Sequence, residues 1–413
     1  MKRILMYSHD SYGLGHFRRN LSIAEHILAQ DSEVEVLAVT GSPRSHLFQL
    51  PENFDYVKLP AASKDAQGNY CCRDLSVDYS YLVRWRSRLL LESAEAFRPD
   101  IVLVDHTPCG LGGELLPLLD AWKDRAHLVL GLRDIIDSPA RVRESWRALG
   151  VTEIIRRYYK QVLYYGDRRI FDPVEAYELP EDLASRLHEV GYVTRATAGG
   201  GNGSAPARQS SQRPFVLVTV GGGGDGNCTL NTYMRGLLAL GPDAGFDSLL
   251  ITGPLMSAGK RAKIDALAAG RRDVEIREFA PDMGALYDRA DLAVTMGGYN
   301  TVSEILAARV PALLIPRTEP REEQLVRARC LTRLGLLDHL HPDDIGGGRL
   351  MTRVRALLDA GPTDRPSISP HMDGARGAWR VLRGLGRIAA AELSRCVAQT
   401  ATSLDDWKMA AGG

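Results

Sequence analysis

The sequence predicts an α/β protein built from two doubly wound domains that face each other across a cleft. Short apolar runs alternate with stretches of helical length through both halves, as parallel strands and crossover helices do. In each half a glycine turn follows the first strand, where such sheets bind ligands. Residues 196–213 are rich in Gly, Ser and Gln, the composition of a flexible linker. We therefore predict an N-terminal domain at 1–195, a linker at 196–213, a C-terminal domain at 214–395 and a frayed tail at 396–413.

Composition narrows the class of protein. A chain of 413 residues is too long for one ordinary core, and 45% hydrophobic with 25% charged residues is typical of a globular protein. Lys and Arg total 51 against 51 Asp and Glu, so no overall basic field suggests nucleic acid. No apolar run approaches the roughly 20 residues of a membrane span, and the N-terminus turns polar too soon for a signal peptide. We expect a cytoplasmic protein that could contact the inner face of the membrane peripherally.

The cysteines do not form a metal or disulfide pattern. There are 6 of them, none in a C-x-x-C pair, and Cys71 and Cys72 are adjacent. Adjacent cysteines have poor geometry for a disulfide framework or a zinc site. We expect reduced thiols and no structural metal.

The N-terminal half contains several apolar runs that predict the strands of its sheet. These are Arg3–Tyr7, Val34–Val39, Tyr56–Leu59, Ile101–Val104, Leu128–Leu132, Val162–Tyr165 and Tyr192-Val193. Helical spacing is predicted for Leu21–Leu28, Tyr79–Phe97 and Arg141–Lys160, and residues 61–75 read as a polar loop. Within the second helix, Arg84, Arg86 and Arg88 are interpreted as a solvated face.

Polar residues follow three of these strands and a glycine turn. These residues are the pairs His9-Asp10, Asp105-His106 and Arg133-Asp134. Because the carboxyl ends of parallel strands lie at one edge of a sheet, we expect all three pairs at that edge. The turn carries Gly13 and Gly15, followed by His16. His16 could be a locally bonded residue at a helix start or a general base at the cleft. The dinucleotide fingerprint G-x-G-x-x-G is not completed, because position 18 is Arg, so we expect no nicotinamide cofactor.

The C-terminal half repeats the pattern. Its predicted strands are Phe215–Val220, Leu249–Thr252, Val274–Ile276, Leu292–Thr295 and Ala312–Ile315, with a last helical stretch at Ala375–Leu393. A glycine loop at 221–226 and the Gly297-Gly298 turn each precede a helix. Such turns expose backbone N–H groups to an anion, and no Walker signature is present. Asn300-Thr301 is predicted to cap the second of these helices, with Glu304 about one turn inside it.

Residues Phe279–Gln324 resemble the donor-binding half of the MurG-type glycosyltransferases, which add N-acetylglucosamine to a lipid-linked peptidoglycan precursor. The resemblance implies the GT-B architecture of two facing Rossmann-like domains and an inverting, metal-independent transfer from a nucleotide-sugar, expected to be UDP-linked. It implies that the backbone at Ala280 meets uracil, that Glu304 holds the ribose and that Glu323-Gln324 meet the sugar. The family has a glutamine where this chain has Glu323, so a hexose and an N-acetylhexosamine both stay open.

These observations give three sets of expected site residues. The catalytic set is His16, Asp10 and Asp105, with His16 as base and one aspartate orienting it. The acceptor-binding set is Gly13, Gly15, His106 and Arg133. The donor-binding set is Gly222, Gly223, Gly224, Ala280, Gly297, Gly298, Asn300, Thr301, Glu304, Glu323 and Gln324.

Three other functions share these features, one of them a sugar epimerase on the same fold. A nucleotide-sugar hydrolase would use His16 to activate water, and a silent protein would only bind the nucleotide-sugar. We expect a transferase whose acceptor is a hydroxyl of a glycan, a lipid-linked sugar or a small molecule. The nucleotide-sugar is a substrate, so we expect no cofactor and no metal.

Overall fold

The computed structural model describes residues 2–10, 15–43, 45–64, 70–194, 213–346, 348–361 and 368–386. Nearly all of the predicted linker at 196–213 and the whole predicted tail at 396–413 lie outside these ranges. The domain boundaries therefore stay a prediction.

The N-terminal half contains a 7-stranded sheet in the order β3-β2-β1-β6-β7-β8-β9, with all neighbours parallel. In chain order its elements are β1 (Lys2–Ser8), α1 (Gly15–Gln30), β2 (Val34–Thr40), β3 (Phe54–Lys58), β4 (Ala62–Lys64), β5 (Tyr70–Cys72), α2 (Tyr79–Phe97), β6 (Ile101–Asp105), α3 (Leu116–Trp122), β7 (His127–Arg133), α4 (Pro139–Leu149), α5 (Val151–Tyr158), β8 (Gln161–Tyr165), α6 (Pro173–Ala176), α7 (Glu181–Ala184) and β9 (Leu187–Glu189).

The C-terminal half contains a 6-stranded parallel sheet in the order β12-β11-β10-β13-β14-β15. Its elements are β10 (Phe215–Thr219), α8 (Asn227–Ala239), β11 (Asp247–Ile251), α9 (Ala258–Ala268), β12 (Val274–Arg277), α10 (Met283–Arg289), β13 (Leu292–Thr295), α11 (Tyr299–Ala308), β14 (Ala312–Leu314), α12 (Glu323–Arg333), β15 (Asp338–His339), α13 (Arg349–Ala360) and α14 (Gly374–Arg383). The predicted α/β class is confirmed in both halves.

The strand order places a topological switch point in the middle of each sheet. In the N-terminal sheet the chain leaves β1 toward β2, and β6 joins β1 on the other side. The C-terminal sheet has the same arrangement, with β11 and β13 on either side of β10. Ligands bind beyond the carboxyl ends of strands at such points, because the connections leave in opposite directions and open a crevice.

Three local predictions were wrong. The expected loop at 61–75 contains the antiparallel pair β4–β5. The last strand of the N-terminal sheet is β9 rather than Tyr192-Val193, and the Tyr192 N–H instead donates to the His371 carbonyl at 2.7 Å. Arg86 is fully buried, with its Nε 2.5 Å from Glu114 Oε2, so it does not belong to a solvated face.

The last described helix packs against the N-terminal half. Helix α14 lies on α1, and Lys2 Nζ donates to the carbonyl oxygens of Leu382 and Leu385 at 3.2 and 2.8 Å.

Across the described part of the chain, no helix has the length and apolar character needed to cross a membrane.

Candidate active site

His16 lies at the start of α1, beyond the carboxyl end of β1, and contacts Asp105 at the end of β6. Its Nδ1 is 2.6 Å from Asp105 Oδ2. These strands are neighbours at the switch point, with Tyr7 opposite Val104, so both side chains reach the same edge of the sheet. The His16 side chain keeps 18% of its surface exposed, whereas that of Asp105 has none. The structure therefore brings together two of the three predicted catalytic residues.

Arg19, one turn along α1, holds the carboxylate of Asp105. Its Nε and Nη2 donate to Asp105 Oδ1 at 3.0 and 2.9 Å, and Nη2 also donates to Oδ2 at 2.7 Å. Burial alone would raise the pKa of Asp105, but Arg19 and His16 outweigh it and lower that pKa to about 2. An ionised carboxylate only accepts hydrogen bonds, so His16 Nδ1 must be the donor. This arrangement leaves the His16 Nε2 lone pair available to accept a proton.

Two further histidines flank His16. The rings of His9 and His16 have centroids 4.8 Å apart, and His106 stacks on His16 at 5.6 Å. Burial, with nearby cationic groups, lowers the pKa of both His9 and His106 well below its usual value. These two rings are therefore neutral at neutral pH and surround His16 with an uncharged aromatic wall.

Asp10 does not orient His16. It is buried, its Oδ2 accepts a hydrogen bond from Thr40 Oγ1 at 3.1 Å, and burial raises its pKa. Its Oδ1 has no hydrogen-bond partner among the described residues. Asp10 faces β2, on the other side of β1 from Asp105, which explains why Asp105 alone reaches the imidazole.

The predicted acceptor residues are only partly brought together. Gly13 lies outside the described residues, and the Gly15 carbonyl accepts a hydrogen bond from Asn300 Nδ2 at 3.2 Å. His106 stacks on His16, and Arg133 Nη2 donates to the Ile136 carbonyl at 3.0 Å. Burial lowers the pKa of Arg133 to about 10; Glu323 opposes this shift, while Arg327 and Arg321 add to it.

The glycine loop at 221–226 connects β10 to the start of α8. Gly223 has φ +89°, and a Cβ there would lie 2.2 Å from the Thr252 carbonyl oxygen, so only glycine fits. Gly222 and Gly224 are exposed, five and three residues before the first residue of α8. The loop thus presents backbone at a helix start, as an anion site requires.

The Gly297-Gly298 turn connects β13 to α11 at the same switch point. Gly297 has φ +87°, and Gly298 is the N-cap. The predicted cap at Asn300-Thr301 was wrong, because both residues lie in the first turn of the helix. Asn300 instead reaches across to Gly15 at the start of α1, so the two helix starts meet in the cleft.

Glu304 lies one turn into α11, and its carboxylate pairs with Arg18 from α1. Its side chain is 13% exposed, so the carboxylate is partly accessible. Ala280 lies between β12 and α10 and is 5% exposed, next to Phe279 at 51%. Glu304 and Ala280 both lie in the C-terminal half, and their roles in donor binding stay a prediction.

Arg317 contacts two predicted donor residues, Glu323 and Gln324, and also Asp225, which follows the predicted Gly224. Its Nη1 lies 2.7 Å from Asp225 Oδ2 in the glycine loop, and its Nη2 lies 2.6 Å from Glu323 Oε1. Its backbone N–H donates to Gln324 Oε1 at 3.0 Å. Glu323 is 5% exposed, and its Oε2 has no hydrogen-bond partner among the described residues. One buried acceptor atom therefore stays available at the point where the sequence predicts the donor sugar.

Arg327, on α12, bonds both to the Gly297-Gly298 turn and to the N-terminal half. Its Nε and Nη2 lie 2.6 and 2.7 Å from the two oxygens of Asp134, which follows β7. Its Nη1 donates to the Gly297 carbonyl at 2.8 Å. Neither side chain has significant exposure. One guanidinium therefore fixes both the turn and the contact between halves.

The chain is similar to known glycosyltransferases. Residues 215–364 match the family described as "Glycosyltransferase family 28 C-terminal domain". The chain is 31% identical over 275 residues, 64% of it, to UDP-N-acetylglucosamine–N-acetylmuramyl-(pentapeptide) pyrophosphoryl-undecaprenol N-acetylglucosamine transferase of Corynebacterium efficiens, and it covers 72% of that relative. The chain belongs to the MurG-like family of GT-B glycosyltransferases. This transferase is also 25% identical to the protein of that name from Solidesulfovibrio magneticus, over 83% of the chain and 86% of the relative.

Solved structures show the same fold. The crystal structure of Acinetobacter baumannii MurG superposes on the transferase with a TM-score of 0.54 at 16% identity, covering 93% of this chain and 100% of that one. The similarity extends over both halves and confirms the predicted GT-B architecture.

In the part of the transferase that the structure describes, one group has ligand atoms close enough for a metal. Among the described residues these are Asp167, Glu189 and His371, with atoms within 4.8 Å of one another. Arg169 donates to both oxygens of Asp167, at 2.9 and 2.5 Å. The guanidinium already neutralises the buried carboxylate, so this group does not fit a cation.

Sequence reasoning missed the arginines of the transferase site. Arg18 and Arg19 follow His16 after a single intervening residue, Phe17. This closeness in sequence was the available signal, because α1 turns the two arginines toward opposite halves of the cleft. Arg317 and Arg327 gave no comparable signal. Their partners lie up to 193 residues away in the chain, and no local pattern encodes such a pair.

Proposed function

We propose that the protein transfers N-acetylglucosamine from UDP-N-acetylglucosamine to a hydroxyl of a lipid-linked sugar pyrophosphate, with inversion at the anomeric carbon. The relatives are named for this reaction, and the match covers both halves of the chain. The observation that carries the proposal is the meeting of the two helix starts. The Asn300–Gly15 contact joins α11 to the helix that presents His16.

The proposed step uses His16 Nε2 as the general base. Asp105 accepts the Nδ1 hydrogen and favours the imidazolium that forms when Nε2 takes the proton of the acceptor hydroxyl. The acceptor oxygen then forms a bond to the anomeric carbon, while the bond from that carbon to the UDP β-phosphate oxygen breaks. Attack from the face opposite the leaving group inverts the anomeric centre.

The departing diphosphate needs stabilisation of its developing charge. The helix starts at 221–226 and Gly297-Gly298 present backbone N–H groups and the positive ends of helix dipoles. In this proposal the backbone at Ala280 holds uracil, Glu304 holds the ribose, and Glu323 and Gln324 meet the sugar. The free Oε2 of Glu323 would accept a hydrogen bond from a sugar hydroxyl or from an N-acetyl N–H.

The cleft also suits a phosphate-bearing acceptor. Arg321 lies between two contacts to the N-terminal half: Arg141 donates to the Pro320 carbonyl at 2.9 Å, and Glu322 N donates to Asp137 Oδ1 at 2.8 Å. Arg321 and Arg133 are close enough for Arg321 to depress the pKa of Arg133. Two neighbouring cations at the cleft favour an anionic group beside them.

The test is a product assay with purified protein, UDP-N-acetylglucosamine and a short-chain lipid-linked N-acetylmuramyl pyrophosphate, with UDP-glucose and UDP-N-acetylgalactosamine as competing donors. We expect UDP release and a new disaccharide only when the acceptor is present, and loss of both with His16→Ala. UDP release at the same rate without acceptor would instead identify a hydrolase. No turnover of any donor by a folded protein that binds UDP would contradict catalysis altogether.

A further inference from the structure

A basic groove lies between helices α1 and α14, away from the cleft. It has a volume of about 370 Å³, and its lining residues are His26, Gln30, Arg376, Trp379, Arg380 and Arg383. His16 is in the first turn of α1, whereas Gln30 is its last residue. At 1.5 Å per residue the two are about 20 Å apart along the helix, so the groove is a separate site.

Helical spacing directs the polar groups into the groove. Arg376, Arg380 and Arg383 are four and three residues apart on α14 and therefore share one face. His26 and Gln30 are likewise four apart on α1. Trp379 is 8% exposed and forms part of the wall. Three guanidinium groups, an amide and an imidazole thus converge on one concave surface.

No salt bridge within the described part of the chain holds these arginines, although Asp373 at the N-cap of α14 is close enough to His26 to oppose the effect of Arg376 on the pKa of that imidazole. Among the described residues no ion pair involves Arg376, Arg380 or Arg383, whereas the exposed Arg353 on α13 pairs with Asp338. Cations near a helix C-terminus are stabilised by the dipole, which could account for Arg380 and Arg383. That explanation fails for Arg376, which lies in the first turn, where the dipole disfavours a cation. Lys2 already covers the carbonyl oxygens of Leu382 and Leu385.

We propose that this groove binds a phosphate-bearing anion. Guanidinium groups recognise phosphate oxygens through paired, charge-assisted hydrogen bonds, and the Gln30 amide adds a neutral donor. The volume lies at the lower end of the range for small-molecule sites, which suits a diphosphate or a lipid headgroup rather than a larger ligand. A soluble diphosphate and an anionic phospholipid headgroup share this chemistry, and the experiment separates them.

The first arm titrates the full-length protein with sodium pyrophosphate in a calorimeter. The variant R376Q/R380Q/R383Q removes the groove cations, and R272Q/R329Q/R355Q removes three exposed arginines elsewhere that have no ion pair among the described residues. Each lost guanidinium should weaken binding about tenfold, so the groove variant should lose one site that the control keeps. Both variants should keep the wild-type transferase rate, because neither set touches the cleft.

The second arm measures co-sedimentation with phosphatidylglycerol vesicles and with phosphatidylcholine vesicles. Binding only to phosphatidylglycerol, and only with the groove intact, would identify a lipid headgroup as the ligand; pyrophosphate binding without vesicle binding would identify a soluble one. Equal behaviour of the two variants in both arms, or no wild-type binding to either probe, would overturn the proposal. If the triple variant does not fold, R376Q alone, at an exposed position, repeats the comparison.

Discussion

Arg327 and Asp134 form a buried, two-pronged ion pair between the two halves of the protein, with nitrogen–oxygen distances of 2.6 and 2.7 Å. Arg327→Met would leave the Asp134 carboxylate buried without its cation. Loss of one partner of a buried pair costs about 3–5 kcal/mol of folding free energy, so we expect a large fall in melting temperature.

The pair Arg349–Asp344 serves as the matched control, because both of its side chains are more than half exposed. Arg349→Met should cost at most about 1 kcal/mol. The double variant Arg327→Met with Asp134→Asn should recover part of the loss, since no buried charge remains. Equal melting temperatures for the two single variants would show that the buried pair does not stabilise the fold.

His16→Ala tests the general base. General-base catalysis contributes about 10²–10⁴-fold, so turnover should fall by that factor while UDP affinity stays nearly constant. Asp105→Asn should also lower turnover strongly, because the amide no longer favours the imidazolium. Asp10→Asn should have the smaller effect, since Asp10 bonds to Thr40 rather than to His16. A larger loss of turnover for Asp10→Asn than for Asp105→Asn would show that Asp10, and not Asp105, supports the base.

Glu304→Ala tests the predicted ribose contact. A hydrogen bond to a charged group is worth about 1.5–3 kcal/mol, so UDP affinity measured by calorimetry should fall by that amount. Arg18 pairs with the same Glu304 carboxylate, so UDP affinity should also be measured for Arg18→Gln. It should leave UDP affinity unchanged or raise it, since the ribose would no longer compete with the guanidinium. Weaker UDP binding in Arg18→Gln would instead assign Arg18 to the donor site.

Glu323→Gln tests the sugar contact. The amide oxygen can still accept from Arg317, while the amide N–H₂ replaces the free carboxylate oxygen with a donor. Relative rates with different UDP-sugars should change, and affinity for UDP alone should not. Glu322→Gln, one residue earlier on the edge of α12, is the control. An equal change in UDP affinity and in sugar preference would mean that Glu323 shapes the loop and does not read the sugar.

The buried histidines predict how stability depends on pH. The pKa values of His9 and His106 are lowered in the folded protein, whereas the unfolded chain titrates near 6.5. Below that pH the unfolded state binds more protons, so the unfolding free energy decreases as pH falls from about 7.5 toward the folded pKa values. Melting temperatures should drop accordingly, and His106→Asn should flatten the curve. Asparagine suits the φ of +69° at this position.

Much of this site could be predicted from the sequence, because glycine turns and polar strand ends are local signals. The choice between Asp10 and Asp105 could not be made, since both follow apolar strands and only the strand order places β6 beside β1. Arg86 was misassigned for a different reason. Residues two apart on a helix point in nearly opposite directions, so Arg84, Arg86 and Arg88 cannot share one face. Glu114, the partner of Arg86, lies 28 residues further along the chain.

The contact between Gly15 and Asn300 has a consequence for building hybrid enzymes. A chimaera joining this N-terminal half to the donor half of a relative would keep His16 and Asp105 but could lose the side chain that reaches the Gly15 carbonyl. It would also need an arginine facing Asp134 and a carboxylate facing Arg18. If a whole C-terminal half is exchanged to change donor specificity, the residues that contact Gly15, Arg18 and Asp134 must therefore be retained in the new half. The alternative is to substitute only Glu323 and Gln324, the residues predicted to contact the sugar.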